Sequence, residues 1–563
     1  MIRNALRSPL AWILCAAAAL RITGLFWGLP AADGWDNDGF APRNFLTALA
    51  LTYTPGSYFT YPPLHAFLLA VLALPGILIA LFSLPSFTQA DVVATFTSPG
   101  LATYFAVVAR LVSLVMSLGI IWCVGDMTRR IAGARAGLFA SGACALSVVL
   151  TYYGQVSNLD VPYLFWASLS LLFVTRAVTE QRVKLLWWAA LLAAAAVATK
   201  DQAYAVFALT LPLFMIAWFA ADPWPRRNAR TVITTLLLAA VASIGLLLLV
   251  DGAIFNPSGF ARRVAFLVGP ASQDYAAYAS GPAGWIVLLK DVAAFFLKGY
   301  GAVPVLLTAG GLVLHLAQSR EHRSVWVAGL LPLLAIISFT VCFNISAGRT
   351  DHRFLLPQAV FACVYIGIAA AWLAFHADRW LAMASRLGLA VAALLALHYC
   401  IAVNAAMLMD PRYDAEAWMA RHVRPGDTIE IYGQNIFQPR YPAHARISRV
   451  GSGDLKVRNP LPGVTELREP FTAERGARFL VVNGNWLSRY LRVPQPLEAG
   501  RIYPGVQQQA FRDNDARRYF SALDNDRLPY RLVHVAQYKS RLWPAMHIHD
   551  SLGEPIGIYE RVP

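Results

Sequence analysis

Residues 64–84 read LHAFLLAVLALPGILIALFSL, an apolar run long enough to cross the hydrocarbon core of a bilayer as one helix. Pro75 and Gly76 interrupt the run near its middle, where they favour a break in the helix. Counting the run as a span would also turn every later arginine-rich loop outward, against the usual orientation of membrane proteins. We therefore predict two short helices that lie in or dip into the outer leaflet.

The rest of the chain has the composition of a polytopic α-helical membrane protein. Hydrophobic residues make up 57% of the 563 residues and charged residues 14%, so one soluble core could not bury the apolar surface. The apolar stretches predict about eleven transmembrane helices, separated by a first outer loop at residues 31–100 and by shorter later loops. The predicted spans are 10–30, 101–125, 136–153, 161–175, 184–199, 204–221, 231–251, 297–318, 324–343, 354–374 and 385–409.

The net charge of +15 agrees with this topology. The loops predicted to be cytoplasmic carry many more Arg and Lys than Asp and Glu, whereas the outer loops before residue 410 are nearly balanced. Orientation in the membrane therefore explains the charge, and we expect no binding to nucleic acid.

The composition changes after residue 409. Residues 410–563 are charged and rich in Pro and Gly, and a helix-like segment at 413–423 precedes several strand-like runs. These runs are TIEIYG (428–433), RFLVVNG (478–484) and IGIYERV (556–562). We predict a membrane domain at 1–409 and a soluble α/β domain at 410–563, which an odd number of spans from a cytoplasmic start places outside.

The first outer loop opens with the acidic stretch AADGWDNDGFAPRNF (31–45), which contains Asp33, Asp36 and Asp38 and, just after them, Arg43. A carboxylate at this place can act as general base toward an acceptor hydroxyl or amine, or bind a divalent metal ion. An acidic turn that caps the following helix explains the same residues equally well.

Pro62 and Pro63 enforce extended backbone farther along this loop and so fix the directions of Tyr61 and His65. Prolines also commonly begin membrane helices, so this motif is weak alone.

The second outer loop, YYGQVSNLDVPYLF (152–165), places Tyr153, Asn158 and Asp160 at the mouth of two spans. A carboxylate directly before an apolar helix needs a partner or a function. Helix N-capping by Asp160 is the alternative.

The third outer loop is only ATKDQAY (198–204), so Lys200, Asp201 and Gln202 lie between two apolar stretches. A mutual pair of Lys200 with Asp201 would satisfy both charges. A lysine at the lip of an aqueous cavity would also suit a phosphate.

The two remaining outer loops carry arginines. A helix-like segment at 256–268 contains Arg262 and Arg263, which suit contact with lipid phosphate, a lid or plain packing. The fifth loop contains Arg349 and Arg353, together with Asp351 and His352, and two arginines at one mouth would clamp a phosphate. Snorkelling to the interface is the alternative. The unusual polar residues share one side of the membrane, which favours a catalytic cavity open to the outer face.

Five motifs in this order resemble the GT-C class of polytopic glycosyltransferases, in particular the branch of protein O-mannosyltransferases and lipid A aminoarabinose transferases. The resemblance covers about residues 10–375 and implies eleven or more spans, a catalytic first outer loop with juxtamembrane helices, and a polyprenyl-phosphate sugar donor. The motifs are WDNDGFAPRNF (35–45), YPPLHAFLLA (61–70), YYGQVSNLDVPYLFW (152–166), ATKDQAY (198–204) and DHRFLLP (351–357).

The resemblance also implies roles for single residues. Asp36 matches the first-loop catalytic base, with Asp38 as its rival because the family usually has Asp-Glu where this chain has Asp-Asn-Asp. Asp160 matches the second-loop aspartate, and Lys200 the third-loop lysine near the donor phosphate. Either Arg349 or Arg353 matches the later basic residue that stabilises the leaving group. Further candidates for the substrate pocket are Arg43, Tyr61, His65, Tyr153, Asn158 and Gln202.

We therefore expect an inverting glycosyltransferase that moves a sugar from a polyprenyl-phosphate donor to an envelope acceptor (a lipid, glycan or protein) outside a bacterial inner membrane. The sequence indicates no cofactor and leaves open whether a divalent metal ion binds. We expect His547 and His549 on the surface of a strand. The alternative is a secondary transporter or flippase of a lipid-linked or anionic substrate, which should carry polar residues through its spans. Only Arg21 and Arg110 stand out there. A noncatalytic envelope assembly protein is a further alternative.

Overall fold

The structure is a computed structural model that describes residues 8–31, 35, 44–318, 322–451, 463–544, 548 and 552–562. Several residues singled out in the sequence lie outside these ranges, and their interpretation stays a prediction: Asp33, Asp36, Asp38, Arg43, His547 and His549.

The described chain up to residue 408 is helical, with proline in the first turn of several helices, where its missing N–H is not needed. The α-helices are α1 (Pro9–Ile22), α2 (Asn44–Tyr53), α3 (Leu64–Leu72), α4 (Leu74–Phe82), α5 (Gln89–Phe96), α6 (Pro99–Ala132), α7 (Ala134–Ala145), α8 (Val148–Tyr153), α9 (Asp160–Thr179), α10 (Leu185–Val197), α11 (Tyr204–Phe207), α12 (Thr210–Ala221), α13 (Pro223–Arg227), α14 (Ala229–Val250), α15 (Pro257–Val268), α16 (Pro270–Gln273), α17 (Pro282–Tyr300), α18 (Ala302–Ala317), α19 (Arg323–Ala328), α20 (Leu331–Phe339), α21 (Leu356–Ala374) and α22 (Arg379–Leu408). Short 3₁₀ turns cover Asp201–Ala203 and Arg353–Leu355, and a π-helix covers Thr340–Ile345.

Seven helical segments among the described residues are long and apolar enough to cross a membrane, or nine if each of two bent helix pairs is one span. The polytopic helical architecture is therefore confirmed, but the predicted count of eleven is not. Helices α1 and α10 are apolar but short. The predicted span 136–153 is divided, because α7 ends at Ala145 and Ser147 accepts a hydrogen bond from the N–H of Leu150 to start α8.

The apolar run at 64–84 forms two short helices, as predicted. Helices α3 and α4 are bent by 64° relative to each other, with Pro75 in the first turn of α4. Gly76 lets this turn approach α6, since a Cβ atom there would lie 2.3 Å from the ring of Tyr104. The bend fits a pair of juxtamembrane helices, and their depth in the outer leaflet stays a prediction.

The two arginines inside the predicted spans bind helix-end carbonyl groups. Arg21 donates to the carbonyl oxygens of Ala17 and Ala145 at 3.0 and 3.2 Å. Arg110 donates to Leu25 and Trp27 at 2.7 and 2.8 Å. Both side chains are fully buried. They therefore tie helices together, and this gives no support to a polar conduit.

The C-terminal part forms an α/β unit, as predicted. Its six strands have the order β3-β2-β1-β4-β6-β5, in which β3, β2, β1 and β4 run parallel while β6 and β5 pair antiparallel. The strands are β1 (Thr428–Tyr432), β2 (Arg446–Val450), β3 (Val464–Leu467), β4 (Phe479–Asn483), β5 (Tyr530–Ala536) and β6 (Ile556–Arg561), and the helices are α23 (Pro411–His422), α24 (Gly484–Leu491), α25 (Gly505–Arg512) and α26 (Asn514–Asp524), with a 3₁₀ turn at Asn435–Phe437.

This α/β unit is joined to the membrane bundle by apolar contacts. Ile548 and Leu552, between β5 and β6, belong to the buried core of the bundle. The ring of Trp543 lies 4.9 Å from that of His398 on α22. The segment between β5 and β6 therefore packs into the core of the bundle, whereas the sheet has core clusters of its own.

Candidate functional site

One cluster of charged residues at the end of the bundle that we predict to be cytoplasmic is held together by ion pairs. Asp126 accepts hydrogen bonds from Arg129, Arg130 and Arg176 at distances between 2.5 and 3.1 Å. Arg130 also pairs with Glu180 at 2.6 Å. These three arginines are therefore bound by carboxylates of the protein itself.

Helix α9 connects this basic cluster to the candidate site. Arg176 lies in its last turn and Asp160 in its first. With a rise of 1.5 Å per residue, the two residues are roughly 24 Å apart along the helix axis. The candidate site and the basic cluster therefore lie at opposite ends of the bundle.

Asp160 and Lys200 form a buried ion pair. The Lys200 ammonium donates to Oδ1 of Asp160 at 2.6 Å, and the side-chain amide of Gln202 donates to the same oxygen at 3.0 Å. Asp160 is fully buried and Lys200 is 8% exposed. The second oxygen, Oδ2 of Asp160, is buried and has no hydrogen-bond partner among the described residues. One face of the carboxylate is therefore left for a substrate or a residue outside the described part.

The local backbone explains how Asp160 is positioned. Its N–H donates to the side chain of Asn158 at 2.7 Å, which forms a tight turn before α9. Leu159 occupies the N-cap position, and no side chain caps the helix. The N-capping alternative for Asp160 is therefore wrong, although the helix N-terminus still favours a negative charge there.

The first outer loop reaches the third through α3. The N–H of Leu64 donates to the carbonyl oxygen of Ala198 at 3.1 Å, two residues before Lys200. The next residue, His65, is buried, and the ring of Tyr61 lies 6.4 Å from that of Phe59. The Pro62-Pro63 motif therefore docks the start of α3 against the loop that carries Lys200.

Arg353 and two tyrosines lie beside the ion pair. The charges of Arg353 and Asp160 both act on the hydroxyl groups of Tyr153 and Tyr163. The Tyr163 ring also lies 5.9 Å from the Lys200 ammonium. The Tyr153 hydroxyl is buried and has no hydrogen-bond partner among the described residues. An unsatisfied buried hydroxyl is costly, so it is available for a ligand.

The arginines of the fifth loop are held differently. Arg353 is 8% exposed, which is too buried for snorkelling, and its backbone N–H donates to Asp351 at 2.7 Å. Arg349 is partly buried and stacks at 5.0 Å from the Tyr275 ring and 4.7 Å from the Phe354 ring. Of the two, Arg353 is the one whose charge acts on Tyr153 and Tyr163.

Asp201 pairs with Arg263, whereas its neighbour Lys200 pairs with Asp160. The alternative of a mutual Lys200–Asp201 pair is therefore not what the structure shows. Asp201 accepts from Arg263 at 3.0 Å, and Arg263 also donates to Asp251 at 3.1 Å. Arg263 is buried, so this arginine of α15 packs between the third and fourth outer loops and is not exposed to lipid phosphate. No partner for Arg263 was predicted from the sequence, although Asp251, a carboxylate at the end of an apolar span, indicated that a buried cation was needed nearby.

Asn256 fixes the fourth loop to the first. Its side-chain amide donates to the carbonyl oxygens of Thr52, Thr54 and Ser57 at 2.8 to 3.0 Å and its oxygen accepts from the N–H of Gly56 at 2.8 Å. The side chain is buried. It therefore holds the turn after α2, in the first outer loop, in one conformation.

Asn256→Ala is expected to lower the thermal unfolding midpoint clearly. Each buried backbone group left without a partner costs about 1–3 kcal/mol. The measurement is thermal unfolding of the purified protein in detergent, with Ser258→Ala as control, because Ser258 is exposed in the first turn of α15. Equal midpoints for Asn256→Ala and the control would contradict this role.

A large apolar cavity of about 1190 Å³ lies between α7, α17, α18, α21 and α22. It reaches from Arg135 and Arg386 at one end to Lys298 and His352 at the other. None of the described candidate site residues lines it. It adjoins the site through His352, which precedes Arg353, and through α8, which carries Tyr153. The polar cluster therefore adjoins this apolar cavity without lining it.

No group of three or more His, Cys, Asp or Glu side chains that could hold a metal ion occurs within the described ranges. The acidic turn at Asp36 and Asp38 lies outside these ranges, so its suitability for a divalent ion stays a prediction.

One segment of the chain matches a known protein family. Residues 101–249, which include Asp160 and Lys200, match the model of the family described as dolichyl-phosphate-mannose-protein mannosyltransferase. None of the curated proteins matches the chain significantly.

Solved structures match over most of the chain. ArnT from Cupriavidus metallidurans in the apo state has a TM-score of 0.50 at 15% identity, covering 97% of each chain. ArnT bound to undecaprenyl phosphate gives 0.49 at 15% identity, covering 97% of this chain and 98% of that chain. The oligosaccharyltransferase AglB from Archaeoglobus fulgidus, in complex with an inhibitory peptide and a dolichol-phosphate, gives 0.46 at 14% identity, covering 94% and 79%. The predicted resemblance to GT-C glycosyltransferases is thus confirmed at the level of the fold.

Proposed function

We propose that this chain, with a GT-C-type fold and a mannosyltransferase-family segment, is an inverting glycosyltransferase that uses a polyprenyl-phosphate sugar. The acceptor is a lipid, glycan or protein of the cell envelope, and the reaction takes place on the outer side of a bacterial inner membrane. In this proposal residues 1–409 form the catalytic membrane domain, and residues 410–563 form an extracytoplasmic domain.

The observation that carries the proposal is the buried cluster of Asp160, Lys200 and Gln202 beside Arg353. Lys200 and Arg353 bring two cations into the surroundings of the buried Tyr153 hydroxyl, together with the carboxylates of Asp160 and Asp351. A lipid phosphate gains negative charge as its bond to the sugar breaks. Preorganised cations at that position stabilise the transition state more than the ground state.

The reaction balances with the residues of this chain. A first-loop carboxylate, Asp36 or Asp38, accepts the proton of an acceptor hydroxyl or amine. The acceptor oxygen or nitrogen bonds to the anomeric carbon while the bond from that carbon to the phosphate oxygen breaks. The lipid phosphate leaves with the electron pair of the broken bond, so the configuration at the sugar is inverted. Lys200 and Arg353 interact with the departing phosphate.

The neighbouring cavity supports a lipid substrate. Its volume of about 1190 Å³ and its predominantly apolar lining suit a hydrocarbon chain, and Lys298 and His352 lie at the end near the site. A phosphate held at Arg353 would be next to this end. The adjacency fits a substrate with a long apolar tail and an anionic head.

The direct test is transfer of a labelled sugar. Purified full-length protein in detergent is given a labelled polyprenyl-phosphate sugar and an envelope extract as acceptor, and the label is followed into new products. Covalent transfer supports the proposal. Uptake of the intact donor into vesicles without transfer would instead support the transporter alternative, for which Arg21 and Arg110 provide no path.

A further inference from the structure

Trp35 joins the first outer loop to the C-terminal unit. It lies directly before Asp36 and is only 2% exposed. Its indole N–H donates to the backbone carbonyl of Gln438 at 3.0 Å. A residue of the first loop is therefore held by a segment about 400 positions later in the chain.

Arg412 covers one face of the Trp35 ring. Its guanidinium carbon lies 4.1 Å from the centre of that ring and 5.1 Å from the centre of Trp27. Asp410 fixes the guanidinium through hydrogen bonds of 2.8 and 2.6 Å, and both charged groups are buried. A cation–π contact is strongest where water is excluded, so the buried contact between Arg412 and Trp35 is expected to stabilise the position of Trp35.

Two more residues of the C-terminal unit complete the enclosure. The Tyr413 ring lies 4.9 Å from the Trp35 ring, and its hydroxyl accepts from the N–H of Gly28 at 2.9 Å. Arg440 lies 5.6 Å from the Trp35 ring and is held by Glu416 at 2.5 Å. We call Arg412, Tyr413, Gln438 and Arg440 the Trp35 clamp.

An aromatic series leads from the clamp to the candidate site. The ring of Trp35 lies 5.9 Å from that of Trp27, Trp27 lies 6.2 Å from Tyr152, and Tyr152 lies 5.0 Å from Tyr153. All four side chains are buried. The clamp is therefore connected by direct packing to the residue whose hydroxyl is unpartnered beside Arg353.

We propose that Trp35 is a positioning residue for sugar transfer and that the C-terminal unit acts on the reaction by holding it. Asp36 follows Trp35 directly in the sequence, so the clamp holds the described residue next to the proposed base. This rests on the proposed function, in which a first-loop carboxylate is the base. In this proposal the C-terminal unit takes part in positioning the catalytic first loop.

The test compares Trp35→Ala and Trp35→Phe in the full-length protein. Trp35→Phe keeps an aromatic ring for Arg412 but removes the N–H donor to Gln438. Because small misplacements of reacting groups cost about 100-fold in rate, we expect kcat to fall by about that factor in Trp35→Ala and by about 10-fold in Trp35→Phe. The KM for a labelled polyprenyl-phosphate sugar should change less than about two-fold, since the contacts of the clamp described above are with Trp35, Trp27 and Gly28 and not with Lys200 or Arg353.

Trp380→Ala is the matched control, because Trp380 is 75% exposed and lies outside the site and the cavity. If Trp35→Ala does not fold, judged by its thermal unfolding midpoint, Trp35→Phe decides the question. A folded Trp35 variant with unchanged kcat, or with a raised KM and unchanged kcat, would overturn the inference. Absence of transfer by the unaltered protein would instead contradict the proposed function.

Discussion

Lys200→Met is expected to abolish sugar transfer and to lower the free energy of unfolding by about 3–5 kcal/mol, because it leaves Asp160 as a buried unpaired carboxylate. In this variant Gln202 would be the remaining described side-chain partner of Asp160. A neutral amide does not replace the Lys200 ammonium, which lies 2.6 Å from the carboxylate. The measurements are the initial rate of transfer and the thermal unfolding midpoint in detergent. A loss of stability alone would show only that the pair supports the fold.

The double variant Asp160→Asn with Lys200→Met separates the two roles. It removes both charges, so most of the lost stability should return. Transfer should stay absent, because Lys200, one of the two cations proposed to meet the phosphate, is missing. Lys290→Met is the control, since Lys290 forms an exposed pair with Glu498 at 3.6 Å that is worth at most about 1 kcal/mol. Return of transfer in the double variant would show that the pair is only structural.

Asp36→Asn is expected to reduce kcat by about 10²–10⁴-fold, the usual contribution of a general base. The amide has the same shape as the carboxylate but cannot accept the acceptor's proton. Asp38→Asn should reduce kcat far less if Asp36 is the base. The measurement is the rate of transfer at saturating donor for each single variant.

Asp91→Asn provides the control within the same outer loop. The Asp91 carboxylate accepts a hydrogen bond from the hydroxyl of Thr88 at 2.8 Å and another from Ser86, so its contacts are local. Its replacement should leave the rate unchanged. A large loss only in Asp38→Asn would assign the base to Asp38, and full activity in both single variants would contradict a first-loop base.

The sequence identified site residues where burying a charged side chain costs free energy. Asp160 and Lys200 both stood out because a charged side chain beside an apolar helix requires a partner or an aqueous site. The structure pairs them across 40 positions of the chain. The break at Pro75-Gly76 was equally readable, because proline and glycine act on the local backbone whatever surrounds them.

Pairings between distant loops could not be read in this way. Arg263 joins Asp201 and Asp251 only because α15 folds back over the third loop, and an amphipathic pattern does not say what covers its buried side. Trp35 and Gln438 are separated by 403 positions and share no motif. The predicted span 136–153 differs for another reason: hydropathy does not detect a helix that stops at Ala145 inside an apolar stretch.

The placement of Ile548 and Leu552 within the core of the bundle bears on how the protein is made. These side chains are synthesised after every helix they pack against, including α22. The helices can enter the bilayer one after another during translation, but their final packing must wait until Ile548 and Leu552 have left the ribosome. Packing of the bundle is therefore completed by a segment that is made after all of its helices.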